Sequence, residues 1–145
     1  MSLMSSHRYP DHFSLNLLLQ VTKSFGNLTH LQHINLHYCS KLKNLPNSFW
    51  ELRYLQYLDL SELSELERLP DSFGEFRNLQ HIDLCGCSKL ERIPYSFGNL
   101  KIHEHINLSG LCKLKRILES LGEMRNLQHI DLSGCPEWEL NTTWL

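Results

Sequence analysis

The sequence predicts an α/β solenoid. Its coils are right-handed and 24 residues long, with a parallel concave sheet of about five strands and short helical or 3-10 turns on the convex side. Three observations predict it. An apolar skeleton recurs at fixed spacing: Leu31, Ile34, Leu36, Cys39, Leu42, Leu45, Pro46, Phe49, then the same positions from Leu55 to Phe73, then from Leu79 to Phe97. A period in the twenties marks a unit that buries its apolar side only by stacking on the next copy. Within each copy a short segment alternates, apolar at Ile34 and Leu36 and polar at His33 and Asn35, the pattern of a half-buried strand. Strands 24 residues apart cannot pair as hairpins, so they run parallel and need a return path.

Taken in order, residues 1–14 match no repeat position and read as a poorly ordered leader. A half-repeat starts near Leu15, because Leu18, Val21, Ser24 and Phe25 stand one period before Leu42, Leu45, Ser48 and Phe49. About five full repeats carry the domain to residue 136, giving a repeat domain over 15–136. Strands are expected near 32–36, 56–60, 80–84, 104–108 and 128–132. On the return path Pro46, Pro70 and Pro94 fix φ and open the far side of each coil. The Ser-Phe motif follows (Ser48, Ser72, Ser96), with serine expected to cap a single helical turn and phenylalanine to plug the core. The fourth coil departs from the pattern, with His103 in a leucine column and Leu118 in the proline column. Residues 137–145 form a tail in which Trp138, Leu140, Trp144 and Leu145 are placed to close the open end of the core. Uncapped solenoid ends expose apolar core and sheet edge, so a homo-oligomer through those ends is the alternative mode of action.

The net charge of −2 gives no electrostatic case for nucleic acid or an anionic membrane, so neither is expected as a partner. The apolar run at 15–19 is broken by Asn16 and no cleavage site follows, which argues against a secretory signal. Of five cysteines, Cys39, Cys87 and Cys135 share one column in alternate coils, and Leu63 and Leu111 hold that column between them. Two coils separate them by about 10 Å, too far for a disulfide. Reduced, buried thiols and a cytoplasmic location are expected. Cys85 points out of the sheet, while Cys112 stays open because Leu111 takes the column position. Sequons at Asn27, Asn107 and Asn141 matter only on the secretory route.

The run Leu79-x-x-Ile82-x-Leu84-x-x-Cys87-x-x-Leu90-x-x-Ile93-Pro94-x-Ser96-Phe97-Gly98 resembles the leucine-rich repeats of plant intracellular nucleotide-binding disease-resistance receptors. The resemblance spans roughly Ser24 to Cys135. It implies a protein-recognition surface with a role in plant defence, disease resistance or stress response. Those receptors also carry a nucleotide-binding module, and this chain has no Gly-x-x-x-x-Gly-Lys-Ser/Thr loop, so nucleotide switching is not carried over.

Outward strand residues fall in three columns: His33, Tyr57, His81, His105, His129; Asn35, Asp59, Asp83, Asn107, Asp131; and His37, Ser61, Cys85, Ser109, Ser133. His81, His105 and His129 beside Asp83 and Asp131 are metal-ligand residue types, but a flat ladder does not converge on one point, so no metal and no cofactor is expected. Cys85 has His81 and Asp83 on its face, and Ser109 has His105. No third group fixes a base and no Gly-x-Ser-x-Gly elbow occurs, so no catalytic residues are assigned and an enzyme is not expected. The expected role is binding of a protein partner through the concave face, with His33, Tyr57, Asp59, His81, Asp83, His105, Asn107, His129 and Asp131 as contacts. A basic return-side column of Lys41, Lys89, Lys113, Arg68, Arg92 and Arg116 reads as a solvated face interrupted by glutamates.

Overall fold

The computed structural model describes residues 2–4, 30–101, 105–115, 121, 124 and 127–135. Its backbone is one sheet of six parallel strands in sequence order: β1 (Ser2–Met4), β2 (His33–Asn35), β3 (Tyr57–Asp59), β4 (His81–Asp83), β5 (His105–Asn107) and β6 (His129–Asp131). From β2 onward the register is the repeat period itself: His33 pairs with Tyr57, Tyr57 with His81, His81 with His105 and His105 with His129. Every predicted strand therefore exists, and the columns running from His33 to His129 and from Asn35 to Asp131 stack as expected.

β1 is the exception to the period. Ser2 pairs with His33, so this strand joins the sheet from within the stretch that reads as a leader. The half-repeat near Leu15, the irregular positions His103 and Leu118, and the tail over 137–145 lie outside the described residues.

Each strand is only three residues long because the chain must turn away to close its coil. Coil-to-coil bonding nevertheless continues past the strand. The Leu36 N–H donates to the Asp59 carbonyl at 2.8 Å and the Tyr38 N–H to the Ser61 carbonyl at 3.2 Å, and the same pair of bonds recurs at Leu60 and Glu62, Leu84 and Gly86, Leu108 and Gly110. Aiming the second N–H of each pair at the next coil requires a left-handed residue. Gly86 and Gly110 supply it at φ of 71° and 70°, and Gly134 repeats the conformation at 74°, whereas Tyr38 and Glu62 hold φ of 61° and 60° with a side chain attached.

The inward columns form one core. Ile34, Leu58, Ile82 and Ile106 are fully buried, as are Leu63, Leu66, Leu90 and Leu111 on the return path. Burial of this apolar surface drives stacking, since no coil closes a core alone. Cys39, Cys87 and Cys135 are buried among them as free thiols. Cys87 Sγ also donates across coils to the Leu60 carbonyl, and Cys135 Sγ to the Leu108 carbonyl, both at 3.2 Å.

Among the described residues the convex side holds three 3-10 turns, η1 (Asn47–Glu51), η2 (Asp71–Glu75) and η3 (Tyr95–Asn99). Here the expectation for serine is corrected. The capping positions are Pro46, Pro70 and Pro94, whose carbonyls accept the Phe49, Phe73 and Phe97 N–H groups at 2.9, 3.0 and 2.9 Å. Ser48, Ser72 and Ser96 sit inside the turn, two residues past the capping position. The phenylalanines do fill the core as expected. Phe73 stacks on Phe97 at 5.5 Å, and Trp50 packs on Phe73 and Phe76. Gly74 is required by contact rather than by φ: a Cβ there would lie 2.3 Å from the Ser96 carbonyl oxygen of the next turn.

Candidate functional site

Inward apolar residues leave the alternate side chains on the concave face, and the parallel register stacks them across coils. In the first column the rings of Tyr57 and His81 stack at 4.6 Å with planes 9° apart. His81 and His105 follow at 5.0 Å and 13°, and His105 and His129 at 4.8 Å and 22°. His33 tilts against Tyr57 at 6.1 Å. These spacings are the strand spacing, so the sheet itself builds a continuous ladder of rings. His33 and His129, at its two ends, are exposed; Tyr57, His81 and His105 are half-buried by their neighbours. Burial, with Asp59 and Asp83 nearby, pushes the Tyr57 phenol above its ordinary value, so it stays a neutral donor. In the middle of the ladder His105 Nδ1 is buried without a hydrogen-bond partner.

The second column serves two purposes. From β2 to β6 the side-chain oxygen accepts the backbone N–H two residues on: Asn35 from His37 at 2.9 Å, Asp59 from Ser61 at 2.9 Å, Asp83 from Cys85 at 2.8 Å, Asn107 from Ser109 at 3.1 Å and Asp131 from Ser133 at 2.9 Å. This is the Asx-turn that ends each strand. The sequence pattern Asx-Leu-x-Gly at Asp83–Gly86, Asn107–Gly110 and Asp131–Gly134 carries that signal. The second oxygen of Asp83 accepts from Asn107 Nδ2 at 3.0 Å, tying two coils together. Asp59 is nearly closed off, at 9% exposure. The Ser133 N–H bond, with its hydroxyl, holds the Asp131 carboxyl below the usual carboxylate range, helped by His129 and His105.

Sequence reasoning missed a feature at the rim of coils one and two. His37 Nδ1, Ser61 Oγ and Asp59 Oδ1 form a hydrogen-bonded chain, in which the Ser61 hydroxyl donates to Asp59 and accepts from His37. The order is carboxylate, serine, histidine, so the histidine does not bridge acid and nucleophile as a hydrolytic triad requires. Tyr38 and Glu62 flank it at the two positive φ values. The missed signal is simple: both stand where later coils have glycine. Two further ring contacts cross the same end, His30 on Tyr54 at 5.6 Å and His37 on Tyr38 at 3.9 Å.

A groove on the return side lies between the segments at 67–71 and 89–95, with Arg68, Arg92, Tyr95 and Lys113 along it. Its charge is mixed. Lys89 is held by Glu65 at 2.7 Å and Lys115 lies 3.9 Å from Glu91. Among the described residues no group of three or more histidine, cysteine, aspartate or glutamate side chains is arranged to hold a metal, and no helix is long and apolar enough to cross a membrane.

Residues 17–143 match the model of the leucine-rich repeat region family. Among solved structures, a leucine-rich-repeat protein of Leptospira interrogans is similar at 26% identity, with a TM-score of 0.46. The match covers 78% of this chain and 34% of that one, so this chain spans about a third of that protein's length. A comparison with curated proteins returned no match. Leucine-rich-repeat chains are in general protein-interaction modules rather than enzymes. With the 24-residue register, the buried leucine columns and a family match across nearly the whole length, this chain belongs to the leucine-rich repeat family.

Proposed function

We propose that this chain is a protein-recognition module that binds its partner through the concave face, in the cytoplasm, in a plant defence or stress-response setting. The observation that carries the concave reading is the ring ladder from Tyr57 to His129. Rings locked by stacking offer broad contact area with polar edges and lose little side-chain entropy on binding. His33, Tyr57, His81, His105 and His129 supply the contact area. Asp83, Asn107 and Asp131 supply hydrogen-bonding edges already fixed by their turns, and Asp59 acts mainly through its charge. The plant setting rests on the repeat motif alone.

The test is affinity capture from plant extract with the wild-type chain, a concave variant (Tyr57→Ala with His81→Ala) and a return-side variant (Arg68→Glu with Arg92→Glu). The partner should be retained by wild type and the return-side variant and lost by the concave one. Loss only on the return-side variant would place recognition on the basic groove. The alternative is self-association through solenoid ends. It is favoured by the partial exposure of Leu127, Ile130 and Leu132, whose counterparts Leu79, Ile82 and Leu84 are fully buried. Light scattering over a concentration series separates the two, since a recognition module stays monomeric.

A further inference from the structure

We infer that the partner presents a cationic segment, rich in arginine or lysine, to the concave face. This rests on the concave-face reading and adds the chemistry of what binds there.

Charge partition is the first observation. Across the described strands and their flanks, residues 30–38, 54–62, 78–86, 105–110 and 127–134, the acidic side chains are Asp59, Glu62, Asp83 and Asp131, and no lysine or arginine occurs. The described lysines and arginines, from Lys41 to Lys115, all lie outside these windows, with Arg53 and Arg77 at their edge beside Tyr54 and Asn78. With histidine neutral, a chain whose net charge is only −2 thus carries a concave face whose charges are of one sign. Such a face attracts cations and repels an acidic or phosphorylated segment.

The rings are the second observation. Tyr57 joins the ladder, which runs along the coils, to a band that runs along the strands: His30 with Tyr54 at one margin, His33 with Tyr57, and His37 with Tyr38 at the other. Tyr38 and Tyr54 are exposed at 59% and 54%. A tyrosine face near carboxylates, as Tyr57 is near Asp59 and Asp83, receives a guanidinium, which stacks on the ring while donating to an oxygen. Asp83 and Asp131 are already fixed in direction by their turn bonds to Cys85 and Ser133, so binding need not order them.

The experiment is selection of random 12-residue displayed peptides on the full-length chain. Arginine and lysine should be enriched among the binders. A selected peptide, resynthesised, should bind at least about tenfold more weakly at 500 mM than at 50 mM salt. It should also lose about tenfold on Tyr57→Ala with Asp83→Asn. Asparagine at that position preserves the turn, as Asn35 and Asn107 show. Circular dichroism checks the fold, and Tyr38→Ala with His33→Ala repeats the test at exposed rings. Selected peptides without basic residues that still weaken on these variants would overturn the cationic partner and leave concave recognition standing. Peptides indifferent to both variants but weakened by Arg68→Glu with Arg92→Glu, or no binders at all, would overturn both.

Discussion

Replacing Gly74 with alanine tests whether convex-side stacking, and not only the leucine core, sets the coil spacing. The added Cβ would meet the Ser96 carbonyl oxygen at 2.3 Å, about 1 Å short of ordinary contact, which begins at 3.4 Å. The obstructing atom is backbone, so no rotamer change relieves it. η2 and η3 must separate, and the Phe73–Phe97 stack at 5.5 Å opens with them. Overpacking of this kind costs about 3 kcal/mol. Gly110→Ala is the control. Its Cβ would meet backbone at an ordinary 3.5 Å, so the cost is the left-handed φ of 70°, about 1 kcal/mol. At roughly 4 °C per kcal/mol for a domain of this size, thermal melts should fall by about 12 °C for Gly74→Ala and about 4 °C for the control. Circular dichroism melts read both. A smaller loss at Gly74 than at Gly110 would refute the contact reasoning and mean that the turns are loosely stacked.

Thiol alkylation followed by mass spectrometry should label exposed Cys112 first and half-exposed Cys85 second. Cys39, Cys87 and Cys135 should wait for unfolding, because they are buried and burial pushes the Cys87 thiol up to about 12; early labelling of Cys87 would mean the register is wrong. Asp131→Asn keeps the oxygen that accepts the Ser133 N–H but removes the charge. Because the native carboxyl is held low, its contribution is complete above the unfolded value and is lost as pH falls through the folded one. The melting difference between wild type and variant should therefore be constant at neutral pH and close below about pH 4; a gap that persists in acid contradicts the assignment. Glu62→Gly relieves a left-handed residue at φ 60°, worth about 1–2 kcal/mol, against a glycine entropy cost of about 0.5–1 kcal/mol, so the urea midpoint should rise slightly; a clear fall would show that the Glu62 carboxylate over Gly86 stabilises the rim.

The repeat was legible because a solenoid turns sequence spacing directly into register. Leu58, Ile82 and Ile106 are aligned in space because they are 24 residues apart, and nothing else in the chain need be known to place them. The Ser2–Met4 strand was not legible, since its partner His33 lies at a different offset and no column predicts it. Serine capping failed for a local reason: proline takes the capping position and its carbonyl, not a side chain, receives the phenylalanine N–H. Period-two alternation placed Asp83 and Asp131 on the concave face correctly. It could not say whether an outward oxygen meets solvent or its own backbone, and each meets backbone two residues on.

That double duty changes where specificity should be sought. A polar column needed for every turn will be present in every coil whatever the chain binds, so its regularity carries little information about a partner. The departures from regularity carry more. Tyr38 and Glu62 keep side chains at φ 61° and 60° where three later coils relax to glycine, a cost of about 1 kcal/mol or more for each. Both lie at the rim of coils one and two, beside the His37–Ser61–Asp59 chain and at the end where the histidine–tyrosine contacts cross the sheet. Strain, exposed rings and an unusual hydrogen-bond chain thus coincide in two coils out of five. The uniform ladder supplies area along the whole face, and these two coils supply the features that distinguish this face from its repeats. Recognition should therefore be polarised toward the β2–β3 end, with Tyr38 and Tyr57 weighing more in binding than His105 or His129.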